Sequence, residues 1–268
     1  MKRHIFSFGI KEVAPFIDWS YFLHAWGNAK ECTLACEVID DAKAMLGELE
    51  GKYHTTAIFA LCDAKGDGDN IIVEDTSLPL LRQQHSADGR YNLCLSDFVS
   101  PHGDRIGLFA TSVESILGNE YAGDDYRHLL AQTLADRLAE ATATLLHKRV
   151  RTEEELWGYS PQEVLTTEEL LTEKNRGIRP AVGYPSLPDQ SIIFTIDNLL
   201  HLDAAGITLT PNGAMTPHAS VCGLMIAHPA AQYFAVGKID NEQLEDYAKR
   251  RGMSADKITK FLAGNIKQ

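Results

Sequence analysis

Thr55-Thr-Ala-Ile-Phe-Ala-Leu-Cys62, then Gly66-Asp-Gly-Asp-Asn70, then Ile71-Ile-Val-Glu74, is the stretch on which the fold turns. A β-branched, apolar run, a cluster of turn residues and a second such run predict a hairpin, and a hairpin makes its two strands antiparallel. The acidic turn opens like a calcium-binding loop but lacks the remaining ligand spacing and the terminal glutamate, so it reads as a solvated hairpin tip. The same logic predicts strands over Tyr91–Val99 and Arg105–Thr111 around Ser100-Pro-His-Gly103, and over Ser220–Ala227 and Gln232–Ile239 around His228-Pro-Ala-Ala.

Helical periodicity fills most of the rest. Leu34, Val38, Ala42, Met45 and Leu49 mark a helix over 31–50. Leu129, Leu130, Leu134, Leu138, Ala141 and Leu145 form the buried stripe of a longer one over Asp124–Arg151. Thr166-Thr-Glu-Glu169 is a capping box opening a short helix, Asp189–Leu202 predicts another, and Asn241–Arg251 with Ser254–Leu262 predict a C-terminal helical hairpin. Loops read as short, and no strand is followed by the glycine-rich turn of a dinucleotide fold. The expectation is therefore α+β, an antiparallel sheet with flanking helices, in one domain over residues 1–268.

Composition narrows the partners. Against 25 Lys and Arg stand 37 Asp and Glu among 268 residues, a formal charge of −12 that disfavours nucleic acid and anionic membrane surfaces. The start, Met1-Lys-Arg-His-Ile-Phe-Ser-Phe-Gly9, has no long apolar run or small-residue cleavage site, and no later stretch has membrane-spanning length, so a cytoplasmic protein is expected. Five scattered cysteines lack the spacing of a zinc site or disulfide framework, and no metal site is expected. Cys32-Thr-Leu-Ala-Cys36 begins like a radical-enzyme cluster motif, but the third cysteine is missing; an i, i+4 pair reads as two small core residues.

Candidate function concentrates in Arg179-Pro-Ala-Val-Gly-Tyr-Pro185. Arginine in an immobilised turn grips a carboxylate with two hydrogen bonds, Pro180 and Pro185 stiffen the backbone, Gly183 admits a ligand to the main chain, and Tyr184 offers a ring. Asp18-Trp19, the helical pair Asp136 and Glu140, and Tyr233-Phe234 are further candidates, their convergence an expectation. A solvated helix edge is the alternative for Asp136 and Glu140. His218 before a strand reads as a surface residue, and Ser191, Asp197 and His201 lack a nucleophile elbow, so no catalytic residue is assigned.

Six segments, in order along nearly the whole chain, carry a resemblance: Phe16-Ile-Asp-Trp19, Leu81-Arg-Gln-Gln84, Asn92-Leu-Cys-Leu-Ser-Asp-Phe-Val99, Leu134-Ala-Asp-Arg-Leu-Ala-Glu-Ala141, Gly177-Ile-Arg-Pro-Ala-Val-Gly-Tyr-Pro185 and Gln243-Leu-Glu-Asp-Tyr-Ala-Lys-Arg-Arg-Gly-Met-Ser254. The chain resembles the S-adenosylmethionine-binding activation domain of cobalamin-dependent methionine synthase. The resemblance implies that fold. It also implies that Asp18, Glu140, Arg179, Ala181, Gly183, Tyr184 and Tyr233 line the S-adenosylmethionine site, with Asp136 as a neighbour. Where that family has two successive tyrosines this chain has Tyr233-Phe234, so Phe234 supplies packing without a hydroxyl.

The activity it implies is reductive methylation of oxidised cobalamin, with a flavodoxin-like donor supplying the electron. Because no Asp-x-His-x-x-Gly corrinoid motif occurs, the cobalamin is expected on a separate synthase, served in trans. Lys148, Arg149 and Arg151, or Lys249-Arg-Arg251, are the basic stretches that would meet the donor, unless they only complement helix dipoles. A non-catalytic S-adenosylmethionine sensor that regulates a protein partner is the alternative; a conventional methyltransferase would need the glycine-rich turn that is missing.

Overall fold

The computed structural model describes residues 1–26, 32–85, 89, 91–114, 120–262 and 264–267, with 32–34 as backbone alone. Strand β1 (Lys2–Gly9) leads through α1 (Ile10–Val13) and a 3-10 turn at Ala14–Phe16 to α2 (Trp19–Ala25) and α3 (Cys32–Leu49). Strands β2 (His54–Asp67), β3 (Asn70–Val73), β4 (Thr76–Pro79) and β5 (Asp104–Val113) follow, then the 28-residue α4 (Asp125–Thr152). After α5 (Thr167–Leu171) and α6 (Ile192–Leu200) come a small ribbon, β6 (Thr208–Leu209) with β7 (Met215–Thr216), then β8 (Ser220–Met225) and finally α7 (Asn241–Arg251) and α8 (Ala255–Phe261).

The main sheet runs β4-β3-β2-β5-β8 with every pair antiparallel. The hairpin that decided the fold class is there, its strand β2 extended to Asp67 so that the turn tightens to Gly68-Asp69. β2 is long enough to serve two neighbours along one edge: β1 pairs with His54–Leu61, β3 with Ala64–Asp67. Its other edge carries β5, with Phe59 opposite Phe109 and Ile58 opposite Ala110.

Side chains alternate across this sheet with period two, and both faces are covered. Ala57, Phe59, Phe109, Val113, Val221 and Met225 pack into the core formed with α1, α3 and α4. Ile58, Ala60, Ile106, Leu108, Ala110, Cys222 and Leu224 join the opposite core with α6. Burial on both sides is why β5 reads as an unbroken apolar run, a pattern more often met in parallel sheets. A third cluster, around Leu81, Val236, Ile239, Leu244, Tyr247 and Ile258, seats the C-terminal helical hairpin. Tyr247 donates to the buried Asp189 at 2.7 Å and Arg251 to Ser191 at 2.9 Å, tying that hairpin to the start of α6.

Several expectations need correction. Tyr91–Val99 is no strand: Leu95–Phe98 is a 3-10 turn, because the Asp97 carboxylate accepts from the Cys94 N–H at 2.9 Å and is forked by Arg82 at 2.7 Å. Gln232–Ile239 is not a strand either. Side chains hold its backbone, Gln83 donating to the Ala235 carbonyl at 2.8 Å and Ser186 accepting from the Phe234 N–H at 3.1 Å, and Gly237 turns at φ 74°. The connections over 153–166, 172–191 and 226–240 are long, not short as expected. On α4 the buried stripe begins at Leu130, and Leu129, one position away and so about 100° around the helix, is exposed. Cys36 is exposed and not a core residue; the Cys32 and Leu34 side chains lie outside what is described. Among the described residues, no helix is long and apolar enough to cross a membrane.

Candidate functional site

Helix α4 turns one stripe, Arg137, Glu140, Ala141 and Thr144, toward a cavity of about 560 Å³. Arg179–Ala181 and Tyr184–Ser186 line it as well, with Tyr233 and Phe234, with Phe16, Asp18 and Tyr21, and with Leu170, Leu171 and Glu173 at and just beyond the end of α5.

The arginine loop is held against the edge of the sheet. Leu224 N–H donates to the Pro180 carbonyl at 3.0 Å, Val182 N–H to the Cys222 carbonyl at 2.8 Å, and Ile178 exchanges two bonds of 2.9 Å with Ile226. So close an approach requires Gly223: a Cβ there would stand 2.2 Å from the Pro180 oxygen and 2.8 Å from the Ala181 Cα. Seated on β8, the loop sends the Arg179 guanidinium across to α4. There Nη2 donates to Thr144 Oγ1 at 2.9 Å and Nη1 reaches Glu140 Oε2 at 3.4 Å.

Glu140 is the centre of the polar wall, since Tyr184 donates its phenolic hydrogen to the other carboxylate oxygen. The Tyr233 hydroxyl accepts from the Arg179 backbone N–H at 2.9 Å, fixing the arginine from behind. Burial pushes the Tyr184 phenol up, with the Glu140 charge and hydrogen bond adding to the effect. Burial also raises the Glu173 carboxyl, which the Arg179 charge opposes. Asp18 caps α2: its Oδ1 accepts from the Ser20 N–H at 2.9 Å and the Tyr21 N–H at 3.3 Å while the residue faces the cavity.

Of the candidates named from sequence, Asp18, Glu140, Arg179, Ala181, Tyr184, Tyr233 and Phe234 line this one cavity. Asp136 does not: it faces His218 at 3.7 Å, an almost fully exposed imidazole, and burial raises its carboxyl. Gly183 stands behind the wall, turning at φ 85° where a Cβ would meet Gln190 Oε1 at 2.7 Å. In the basic stretches Lys148 and Lys249 are exposed, while the arginines are engaged within the protein. Arg151 and Arg251 are buried on Glu163 and Asp189, Arg149 pairs with Glu153 at 2.6 Å, and Arg250 spends its guanidinium on Asp246, Asn70 and backbone carbonyls. Sequence reading missed Thr144, Arg137, Glu173 and Gly223. Thr144 was legible as the residue four beyond Glu140, and Gly223 as a glycine inside a strand; nothing local marked Glu173.

Chemically, the cavity offers a guanidinium beside carboxylates, backbone at Pro180–Ala181, and aromatic rings at the mouth, where Tyr184 is 49% and Tyr233 39% exposed. That set suits a ligand with a carboxylate, a cationic group and a flat apolar part. The chain superposes on a crystal structure described as the MetH reactivation domain bound to AdoHcy, with a TM-score of 0.92 and 35% sequence identity, over 100% of this chain and 91% of the other. The family described as vitamin B12-dependent methionine synthase, activation domain, matches residues 9–252. With a match over most of its length and a shared antiparallel architecture, the chain belongs to the family of activation domains of vitamin B12-dependent methionine synthase.

Proposed function

We propose that the cavity binds S-adenosylmethionine and holds it for methyl transfer to cobalamin carried by a methionine synthase partner, restoring oxidised cofactor with an electron from a flavodoxin-like donor. The observation that carries this is the Arg179–Glu140 pair, braced by Thr144 and Tyr184, across a cavity of about 560 Å³. The AdoHcy in the related structure supports it, because that molecule is S-adenosylmethionine without its methyl group.

The residues fit the ligand. Arg179 would take the amino-acid carboxylate through its planar fork, and Glu140 and Glu173 would take the ammonium. Asp18 would face the polar edge of the nucleoside, its capping bonds falling on Oδ1, while Ala181, Phe234 and the Tyr184 ring provide the slot for the adenine. The volume lies within the usual range for small-molecule sites, about 300–1,000 Å³. S-adenosylmethionine supplies an activated methyl group and cobalamin the metal that accepts it. This chain's residues contribute placement: the pinned arginine fixes one end of the ligand, and the aromatic rim leaves the other side open to a partner.

Calorimetry with S-adenosylmethionine tests the site. Wild type should bind, and Arg179→Ala should lose about 10- to 100-fold in affinity, as expected for charge-assisted hydrogen bonds worth about 1.5–3 kcal/mol. Adding the chain, reductant and S-adenosylmethionine to an oxidised synthase without its own activation domain should then restore turnover. Binding without recovery would favour a ligand-gated sensor, and absence of binding would refute the proposal.

A further inference from the structure

The cavity stripe of α4 continues into the protein: Glu140 and Thr144 hold the Arg179 guanidinium, and the next positions on the same face, His147 and Arg151, are buried. Each grips a side chain from the segment after α4. Arg151 Nε donates to Glu163 Oε2 at 2.6 Å, and His147 Nε2 lies 2.8 Å from the Tyr159 hydroxyl. Those two residues pin both backbone polar groups of one residue, Arg176, at the root of the arginine loop. Glu163 Oε1 accepts the Arg176 N–H at 3.0 Å, and the Tyr159 hydroxyl donates to the Arg176 carbonyl at 3.2 Å. A phenol has one hydrogen, so if Tyr159 donates to the carbonyl, His147 Nε2 carries the proton and donates to Tyr159.

We propose that Tyr159 and Glu163 are positioning residues for Arg179, transmitting the register of α4 to the loop root so that both the guanidinium and its backbone are set by one helix. This rests on the cavity being the S-adenosylmethionine site. Charge neutralisation alone does not explain the arrangement. A carboxylate needed only to balance Arg151 would accept from it with both oxygens, yet Glu163 gives one oxygen to the loop backbone, and Arg151 Nη2 is left buried with no hydrogen-bond partner among the described residues. The fit is also tight: at Gly177, φ 78°, a Cβ would stand 2.7 Å from the Tyr159 hydroxyl and 2.6 Å from the Ile226 oxygen. Two residues on, Arg179 is pinned again through its backbone N–H on Tyr233.

The test compares Tyr159→Phe and Glu163→Gln, each alone and combined with Arg179→Ala, in calorimetric titrations with S-adenosylmethionine and with its decarboxylated analogue. Tyr159→Phe should weaken S-adenosylmethionine binding about fivefold and Glu163→Gln about tenfold or more, as for loss of a neutral and a charged hydrogen bond. Neither change should weaken the decarboxylated analogue or add to Arg179→Ala, because the residues act through the arginine. Amide exchange over 177–184 should quicken in Tyr159→Phe while β2 and β5 stay protected. Equal losses for both ligands, or losses that persist without Arg179, would overturn the positioning role while leaving the ligand assignment intact. Failure of the wild type to bind either ligand would instead sink the assignment and this inference with it. If Glu163→Gln does not fold, Tyr159→Phe decides alone, since it removes one oxygen and no charge.

Discussion

Gly223→Ala is the sharpest perturbation of the link between sheet and site. The added methyl would lie 2.2 Å from the Pro180 carbonyl oxygen, and both partners are backbone, so neither can rotate away. Reaching the 3.4 Å of ordinary contact means moving the loop about 1 Å off β8, which strains the bonds Leu224–Pro180 and Val182–Cys222. Overpacking costs about 1–3 kcal/mol and each weakened backbone bond adds up to about 1 kcal/mol, so about 2–4 kcal/mol of stability should be lost. For a chain of this size that lowers the melting temperature by about 5–15 °C. Because Arg179 neighbours the displaced carbonyl, S-adenosylmethionine affinity should fall about tenfold or more at a temperature where the variant is still folded. Gly47→Ala is the matched control: it lies in α3 with nothing within 4 Å of the new methyl, and should stabilise by about 0.5–1 kcal/mol. Thermal unfolding and calorimetry on both variants read the result. If Gly223→Ala melts and binds like the wild type, the loop does not owe its place to this contact.

Acid should destabilise the protein through His147, whose imidazole is held well below 6.5 by burial and by the nearby Arg151 and Arg179 charges. In that window the unfolded chain binds more protons than the folded one, so stability is full above about pH 6.5 and falls with acidification, by up to about 1.4 kcal/mol per pH unit. Urea unfolding at pH 7 and 5.5 should show the drop, and His147→Gln should flatten it. Asp189→Asn leaves Arg251 buried without its counter-charge and weakens the acceptor of Tyr247 and Ser191, so a loss of about 3–5 kcal/mol is expected by chemical denaturation. Amide exchange should report the loosening first in α7 and α8.

What could be read without tertiary structure follows from how far along the chain each feature reaches. The hairpin at 55–74, the long α4, the capping box at Thr166 and the C-terminal helical pair rest on neighbours a few residues apart, and each is present. The two expected strands that failed, at 91–99 and 232–239, have β-like composition, but the first is turned by the local Asp97 cap on Cys94 that Arg82 holds in place, and the second is held by the distant Gln83 and Ser186. Propensity cannot register a distant side chain that captures a backbone group.

The same division applies to the site. Residue types in the arginine loop already pointed to a turn able to grip a carboxylate, because proline, glycine and arginine carry that chemistry wherever they sit. Only the folded chain decided that the turn faces Glu140 and Thr144 and not Asp136, that Arg151 and Arg251 are interior struts and not a basic surface, and that Gly223 lets the loop lie on the sheet. The physical reason is that a side chain's direction on a helix, and the clearance between two backbones, are set to fractions of an ångström by the packing of both faces of the sheet.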